Sequence, residues 1–371
     1  MARKFGKKKE ISLNPLSYNI GVAGISGIGK STLVKKVCEK LVGDDGYIML
    51  DIGRESGHDC IEGIVSETVR TWEELTDVID DIVENRSTDY KDLKVVVFDT
   101  LDEMFTLSDN EAIRQHNLDH PDKRVDTINS VAGGFGKGLD KSIDLVLEQL
   151  FALKEVGVSF IVILHTKNKD IEDAITGQTY QTITANMPQR YFNAIKSKLD
   201  FLGVAYIDRE IIKEKLNRKD PVTKKDITRN KVVDESRKIA FRSDEYNLDS
   251  KSRFESIVSD IPLDADEFIK AIEDAIKTEQ SKSEKSFEKT QEEQEKKEIE
   301  KLKEIAKKEK VNKEKKELDT KKELIKDYII ENKGNLKAIK PLTSMAKELG
   351  YSTPLEVNNI KDADKLIKLI S

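Results

Sequence analysis

Short apolar runs alternate with stretches of helical periodicity along much of the chain. Several of the runs are apolar at every position rather than at every second one, which is typical of parallel strands buried on both faces. We interpret six runs as strands, at residues 18–23, 46–52, 93–100, 159–166, 201–208 and 237–243. Between them, stretches such as TWEELTDVIDDIVENR and GLDKSIDLVLEQLFALKEVG carry apolar residues at helical spacing. This alternation predicts an α/β fold with a mostly parallel, doubly wound sheet.

The pattern changes near residue 277. Residues 281–320 contain 13 lysines and 12 acidic residues with few apolar ones, which predicts a long solvated helix or a weak coiled coil. Apolar periodicity and turn signals return in the last fifty residues. The sequence therefore predicts four regions: a basic N-terminal tail (1–14), an α/β core (15–276), a charged helical spacer or coiled coil (277–320) and a small helical C-terminal module (321–371).

Composition and charge exclude several classes of protein. The formal net charge is −6 with 36% charged residues, so the chain as a whole is not a basic nucleic-acid coat. Its two cysteines, Cys38 and Cys60, do not suggest a disulfide framework. No apolar run approaches 18 residues, and the basic start MARKFGKKKE has no apolar segment behind it. We expect a cytoplasmic protein without a membrane span.

One motif carries specific chemistry. The stretch Gly24–Ser31 matches G-x-x-x-x-G-K-[ST] at every fixed position, between a predicted strand and a predicted helix. Glycines let successive backbone N–H groups point at phosphate oxygens near the positive end of a helix dipole. Lys30 would reach the β- and γ-phosphates, and the Ser31 hydroxyl would ligate Mg²⁺. The predicted nucleotide-binding residues are Gly24, Ile25, Ser26, Gly27, Ile28, Gly29, Lys30, Ser31 and Thr32.

Further polar residues follow the predicted strands. Asp99 ends the apolar run VVVFD and would organise Mg²⁺, as the second carboxylate of a nucleoside triphosphatase does. Glu55 and Glu103 are both candidates for the base that orients water, and the pattern by itself does not separate them. His165 ends another strand and is a candidate sensor of the γ-phosphate; a structural role is the alternative.

Taken together, these motifs resemble the RecA-like phage P-loop ATPase family, AAA-type nucleotide-binding proteins associated with single-strand annealing and recombination. The resemblance covers roughly residues 15–260 and rests on the P-loop, DIGRESG, YKDLKVVVFDTLDEM, LVLEQLFALKEVGVSFIVILHTK and RKIAFRSDEYNLDSKSRFESI. It implies a RecA-like core, ATP and Mg²⁺ as cofactors, ATP hydrolysis, a homo-oligomer and, if the gene is phage-borne, the host-cell cytoplasm. The region after residue 277 lies outside it.

The resemblance also implies roles for single residues. The catalytic glutamate of such proteins follows the strand after the P-loop helix, which favours Glu55 over Glu103, although three residues separate Asp51 from Glu55, looser than usual. A late basic pair reaches the neighbouring subunit's γ-phosphate, and Lys251 and Arg253 match it. At period 2 on a strand both would face the same side. A surface charge pair is the alternative interpretation.

Single-stranded DNA is the expected partner, again through the resemblance. The segments that would face it are residues 108–138, with GGFGKG, and 167–190, with cationic and aromatic groups suited to backbone neutralisation and base stacking. The groups in the second segment are Lys167, Lys169, Tyr180 and Arg190. We expect a DNA-stimulated ATPase; the alternative is an ATP-gated scaffold or loader that recruits a protein partner through its C-terminal module. A small-molecule kinase ranks last, because no arginine-rich lid is present.

Overall fold

The computed structural model describes residues 11–54, 57–172, 176–219, 226–242, 249–282 and 287–370. The chain forms two compact units: one contains the chain up to Val83 together with Tyr90–Glu298, and the other contains Glu84–Asp89 and the chain from Ile299 onwards. The first ten residues of the predicted N-terminal tail lie outside the described residues.

The first unit is built on one mixed sheet. Its strands are β1 (Ile20–Gly24), β2 (Tyr47–Ile52), β3 (Ser66–Val69), β4 (Val95–Asp99), β5 (Ser159–Glu172), β6 (Thr179–Ala185), β7 (Phe201–Lys219), β8 (Asp226–Ala240), β9 (Lys251–Ser252) and β10 (Asp260–Pro262). The strand order is β10-β8-β7-β1-β5-β4-β2-β3. All neighbours from β7 to β3 are parallel, whereas β8, β10, β6 and β9 pair antiparallel. This confirms the predicted mostly parallel α/β sheet.

Helices cover both faces of the sheet, as in a doubly wound fold. Those of the first unit are α1 (Lys30–Val42), α2 (Trp72–Glu84), α3 (Leu101–Asp119), α4 (Lys137–Glu155), α5 (Gln189–Lys198) and α6 (Ala265–Gln280). Apolar side chains of α2, α3, α4 and α5 pack in one core cluster, and those of α1 and α6 pack in the other.

Strand pleating explains why the central strands are apolar at every position. Val96 and Phe98 of β4 point into the first core cluster, whereas Val95 and Val97 point into the second. The side chains of β5 divide in the same way between the two clusters. Because successive side chains of a strand point to opposite faces, a strand covered by helices on both sides needs apolar residues throughout.

Buried polar contacts hold α3, α4 and α5 together on one face. Ser108 and Ser142 share a hydrogen bond of 2.5 Å between their hydroxyl oxygens, and the Tyr191 hydroxyl donates to Asp109 at 2.5 Å. The Tyr191 ring stacks on Phe105 with 4.3 Å between ring centroids. Burial raises the pKa of Asp109. These contacts link the three helices to one another on this face of the sheet.

The second unit is helical. After α7 (Phe287–Glu331), the chain forms α8 (Leu336–Glu348) and α9 (Ile360–Ile367). A small core joins the end of α7 to these two helices and contains Ile325, Leu342, Ala346, Val357, Ala363 and Leu366. The structure thus contains the long helix and the small helical C-terminus that the sequence predicts. Within the part of the chain that the structure describes, no helix has the length and apolar content needed to cross a membrane.

Two segments expected as DNA-facing loops are more regular than the sequence suggested. Residues 108–119 continue helix α3, so only the part from about 120 to 136 is irregular. In the second segment, β5 extends to Glu172 and pairs antiparallel with β6 as a hairpin. Polar, charged composition suggested loops, but α3 is anchored by the buried residues above, and β5 and β6 satisfy each other's backbone groups.

We predict that the two-faced core dominates the stability of the first unit. Phe160 in β5 is 1% exposed, whereas Phe135 is 98% exposed, so the same Phe→Ala change removes packing at one site and almost none at the other. Phe160→Ala should lower the free energy of unfolding by about 3–5 kcal/mol. Phe135→Ala should change it little. Chemical denaturation followed by circular dichroism measures both; equal losses would contradict the assigned core.

Candidate functional site

The glycine-rich loop curls between β1 and α1 in a conformation that depends on glycine. Gly27 and Gly29 have φ values of 75° and 109°, in the left-handed region that side chains disfavour. Helix α1 begins at Lys30, and none of the described side chains caps its N-terminus at Gly29. The first-turn N–H groups and the positive helix end therefore face the loop, which is the arrangement that binds phosphate.

The two polar side chains that open α1 are both engaged at the site. The Lys30 ammonium donates to the carbonyl oxygens of Gly24 and Ile25 at 3.0 and 3.1 Å, so it lies across the loop and is only 6% exposed. The Ser31 hydroxyl donates to Asp99 Oδ2 at 2.5 Å. A serine at the helix start and an aspartate at a strand end, 68 positions apart, thus meet at one point.

Parallel pairing explains how these residues come together. In the register of the sheet, Gly24 pairs with His165 across β1 and β5, and Asp51 pairs with Asp99 across β2 and β4. All four lie where parallel strands end, at the carboxyl edge, which is where open α/β sheets bind ligands. A cavity of about 300 Å³ opens there and is lined by Ser26, Gly27, Gly29, Lys30, Ser31, Thr32, Asp51, Gly57, His58, Cys60, Ile61, Asp99 and His165.

His165 lies in this cavity and is held in place by an acidic neighbour. Its backbone N–H donates to Asp102 Oδ2 at 3.0 Å, and its ring Nδ1 lies 2.9 Å from the same oxygen. Asp102 is in the first turn of α3, immediately after the strand that carries Asp99. Its place after an apolar run marked His165 in the sequence, but no pattern marked Asp102, because the contact joins two elements 63 positions apart.

Two arginines that the sequence analysis also missed support the loop and the strand ends. Arg237 of β8 donates to the carbonyl oxygen of Ile28 at 3.0 Å. This hydrogen bond connects the phosphate-binding loop to β8, which is separated from β1 by β7. Arg70 donates to the backbone and carboxylate oxygens of Asp51, both at 3.1 Å. Both arginines lie far in sequence from the groups they hold, so no local pattern marks them.

His58 is a fourth residue that only the structure reveals. It lies in a short 3₁₀ turn, Gly57–Cys60, after β2, and its Nε2 is 3.0 Å from Asp99 Oδ2. It is 6% exposed, and its Nδ1 is buried with no hydrogen-bond partner among the described residues. The only sequence signal was its position a few residues beyond a predicted strand.

The donor set fits a nucleoside triphosphate with Mg²⁺. Backbone N–H groups at a helix N-terminus and the Lys30 ammonium suit phosphate oxygens, and the Ser31 and Asp99 oxygens are the kind of ligand that Mg²⁺ prefers. Among the described residues, no cluster of three or more His, Cys, Asp or Glu side chains could hold a metal ion. A metal here would therefore be held jointly by these oxygens, by phosphate and by water.

Of the two candidate bases, the structure describes only Glu103. Glu55 lies outside the described residues. Glu103 follows Asp102 on α3, and its carboxylate packs against the backbone of Gly53, where a Cβ would come within 2.3 Å of its Oε2. Among the described residues that line the cavity, Glu103 does not occur. The choice between the two glutamates stays a prediction that favours Glu55.

The basic pair Lys251 and Arg253 lies at the opposite edge of the sheet from the phosphate-binding loop. Strand β9 pairs with Phe201 and Leu202, which begin β7, whereas the loop follows the end of β1, parallel to β7. Lys251 donates to the carbonyl oxygen of Lys196 at 2.6 Å and Arg253 to that of Ser197 at 3.1 Å, so both cations cover the C-terminal end of α5.

Burial, and secondarily the neighbouring Arg253 charge, lower the pKa of Lys251. Within one chain, this pair is too far along the strands to reach the nucleotide cavity beside β1. Any contact with a γ-phosphate would have to be made to the site of another subunit, which is how the sequence analysis assigned it. Capping of α5 is a second role that the sequence did not indicate.

The side chains expected to contact DNA differ in their contacts and in their positions in the fold. Arg190 makes a two-oxygen ion pair with Asp140 at the start of α4, with distances of 2.5 and 2.6 Å from its Nη2. Lys167, Lys169 and Tyr180 lie on the β5–β6 hairpin. Phe135 projects almost entirely into solvent, in a segment where Gly133, Gly134 and Gly136 all have positive φ, and the Arg190 guanidinium lies against Gly136.

Comparison with known proteins places this site in a family. A family model described as an AAA domain matches residues 17–254. A search of curated proteins gives no match to the sequence. Among solved structures, the chain is similar to an ATPase from the type III secretion system of pathogenic bacteria, with 18% sequence identity and a TM-score of 0.30. That similarity covers 50% of this chain and 51% of the other, so the chain spans about half the length of that ATPase.

We predict that a bound nucleotide protects Cys60 from alkylation. Cys60 lines the cavity and is exposed, whereas Cys38 is buried and burial raises its pKa to about 12, so only Cys60 should react quickly with iodoacetamide. With ATP and Mg²⁺ at about 100 times Kd, roughly 1% of sites are free and labelling should slow about 100-fold.

Mass spectrometry of the labelled peptides measures this rate. Lys30→Ala is the matched control, because it leaves both thiols in place and should abolish protection. Protection that survives in Lys30→Ala, or equal labelling of Cys60 with and without nucleotide in the unmodified protein, would contradict the assignment of the cavity.

Proposed function

The chain belongs to the AAA domain family, and from this premise we propose that it is an oligomeric ATPase that acts on single-stranded DNA in phage-type recombination or annealing. The family supports nucleotide binding and hydrolysis. One observation supports the assignment to this cavity above all others: the Ser31 hydroxyl and the Asp99 carboxylate meet at 2.5 Å beside a glycine loop whose backbone conformation suits phosphate.

Each residue of the site has a distinct task in this proposal. The loop backbone and the first turn of α1 bind the phosphates, and Lys30 leaves the carbonyl oxygens of Gly24 and Ile25 to neutralise β- and γ-phosphate charge. When bound, Mg²⁺ supplies further charge neutralisation during phosphoryl transfer. Ser31 and Asp99 hold its ligand shell. Asp102 orients His165, whose ring lines the cavity and can respond to the presence of the terminal phosphate.

Phe135 is the strongest support for a nucleic-acid partner. Phe135 has a φ of 55°, a strained conformation for a residue other than glycine, and such outliers cluster at functional sites. An aromatic face stacks on any base, and neighbouring cations neutralise the backbone. Helix α4 begins at Lys137, two residues after Phe135, and precedes β5, so Phe135 lies toward the same carboxyl edge as the nucleotide cavity. Nucleotide state and DNA contact could thus be coupled through α3, α4 and β5.

The opposite location of the basic pair supports an oligomeric ATP site. Lys251 and Arg253 sit at the amino edge and the phosphate-binding loop at the carboxyl edge, so a head-to-tail assembly would bring the pair of one subunit to the loop of the next. Cations supplied in trans stabilise transition-state charge in related phosphoryl-transfer sites. In this arrangement, hydrolysis requires subunit contact and nucleotide binding does not.

An ATP-gated scaffold or loader is the second candidate. It is favoured by a helical unit with its own core at the end of α7, since a separately folded module on a long helix suits recruitment of a partner. A truncation that tests it should retain α6, because Phe268, Ile272 and Ile276 of α6 are buried in the core of the first unit. Removal of the chain after Glu298 keeps that unit complete.

We predict that single-stranded DNA stimulates ATP hydrolysis and that Phe135 is needed for it. Loss of one stacking contact costs about 1–3 kcal/mol, so Phe135→Ala should weaken DNA binding about 5- to 150-fold. Leu324→Ala, which truncates an exposed side chain outside both expected DNA-facing segments, is the matched control. Steady-state ATPase assays against DNA concentration measure both variants, and the stimulation should fall as salt rises. Hydrolysis that is indifferent to DNA would favour the scaffold.

A mixing experiment tests whether the basic pair acts in trans. Lys30→Ala and the double variant Lys251→Ala/Arg253→Ala should each be nearly inactive, but the double variant should still bind ATP. In an equimolar mixture with free exchange, a quarter of interfaces join an intact loop to an intact pair, so roughly a quarter of the activity should return.

Native mass spectrometry confirms subunit exchange, and thermal unfolding checks that α5 survives the loss of its capping cations. If subunits exchange and the mixture stays as inactive as its components, the pair does not complete the site in trans.

A further inference from the structure

The Asp99 carboxylate has two protein donors on one oxygen. Ser31 Oγ lies 2.5 Å and His58 Nε2 lies 3.0 Å from Oδ2. Asp99 is 6% exposed and His58 equally so, which means that both groups are withdrawn from bulk water. A buried carboxylate needs such hydrogen bonds because desolvation is costly without them. The contact therefore fixes the orientation of Asp99 in the protein before any ligand binds.

The contact also defines the form of the histidine. Because Nε2 faces a carboxylate oxygen, which can only accept, Nε2 carries the proton and donates it. In the neutral ring Nδ1 is then a bare acceptor, and it is the atom that is buried without a partner among the described residues. Among the described residues, the ring therefore makes one hydrogen bond, from Nε2 to Asp99. A histidine kept only for packing would not need this orientation.

Two different structural elements provide the hydrogen bonds to the Asp99 carboxylate. Ser31 comes from the phosphate-binding helix α1, which follows β1, and His58 comes from the turn after β2, which is three strands from β1 in the sheet. When the Ser31 oxygen ligates a metal ion, its hydrogen bond to Asp99 changes, whereas the hydrogen bond from His58 to Asp99 can remain. His58 is thus placed to keep Asp99 in position at the moment the metal arrives. Hydrogen-bond partners of metal-site carboxylates have this effect in general.

We propose that His58 is a positioning residue that orients Asp99 for the Mg²⁺ of the bound nucleotide and so determines how strongly Mg²⁺ increases nucleotide affinity. This inference rests on the proposed function, because it assumes that the cavity binds ATP with Mg²⁺. It assigns His58 no contact with substrate. Its effect passes through Asp99, and the nucleotide affinity measured without Mg²⁺ does not depend on it.

The test compares two amides of different reach. Glutamine can place its amide nitrogen near the position of Nε2 and keep the hydrogen bond to Asp99, whereas asparagine is too short to do so. The affinity of a fluorescent ATP analogue is measured with excess Mg²⁺ and with EDTA for the unmodified protein, His58→Gln and His58→Asn. His120→Ala, at an exposed histidine after α3 that does not line the cavity, is the matched control.

In His58→Asn, the gain in affinity on adding Mg²⁺ should shrink about 10- to 100-fold, with the EDTA value unchanged. His58→Gln and His120→Ala should behave like the unmodified protein. Direct Mn²⁺ binding to the nucleotide complex, followed by electron paramagnetic resonance, should fall in parallel. In an Asp99→Asn background, His58→Asn should have little further effect, because the two residues act as a unit.

The possible failures can be told apart. If the unmodified protein does not bind the analogue, the proposed function fails. If it binds with a clear Mg²⁺ gain and His58→Asn keeps that gain, the proposed function stands and the role of His58 is wrong. Equal loss in His58→Gln and His58→Asn, or full additivity with Asp99→Asn, would also overturn it. Circular dichroism of each variant confirms that it is folded.

Discussion

The parallel register of the central sheet is the constraint on which the rest of the molecule depends. With β7, β1, β5, β4 and β2 running in one direction, their carboxyl ends form a single edge. Gly24 and His165 meet there by pairing, as do Asp51 and Asp99. A shift of one residue in a strand would send its side chains, such as those of His165, Asp51 and Asp99, to the other face of the sheet.

At that edge, the site is assembled by cross-links between elements. Ser31 joins α1 to the end of β4, Asp102 joins α3 to His165 within β5, and Arg237 joins β8 to the glycine loop. Each link is a hydrogen bond to a charged or backbone group that is largely withdrawn from water. Such networks stabilise only when their members are satisfied, which gives the edge a defined geometry. The site is therefore organised by the fold before a nucleotide binds.

The two ends of the sheet have different roles in the proposed assembly. The carboxyl edge carries the phosphate-binding loop, and helix α4 begins toward the same edge beside exposed Phe135. The amino edge carries Lys251 and Arg253, which cover the carbonyl groups that end α5. If Lys251 or Arg253 contacts a phosphate bound to the neighbouring subunit, it leaves the carbonyl oxygens at the end of α5 and binds phosphate oxygens instead. Subunit contact would then affect the stability of α5 as well as the rate of ATP hydrolysis.

Local patterns determined much of the architecture and the first half of the site. Apolar runs predicted the central strands because burial on both faces requires them, and the fixed glycines with Lys30 and Ser31 predicted the phosphate loop because that backbone path needs them. The long charged helix and the small C-terminal helices also followed from composition and periodicity. Strand-end position predicted Asp99 and His165 as candidates. The family assignment agrees with the coarse interpretation, a P-loop ATPase core.

Tertiary structure decided the contacts between distant residues. His58, Asp102 and Arg237 joined the site through contacts that span 41, 63 and 209 positions, and no local pattern encodes such distances. The hairpin of β5 and β6 and the length of α3 were missed because polar composition hides elements whose stability comes from partners elsewhere in the fold. The amino-edge location of Lys251 was equally invisible, since it depends on which strand β9 joins. Sequence determined which groups are present at strand ends, and packing determined which of them touch.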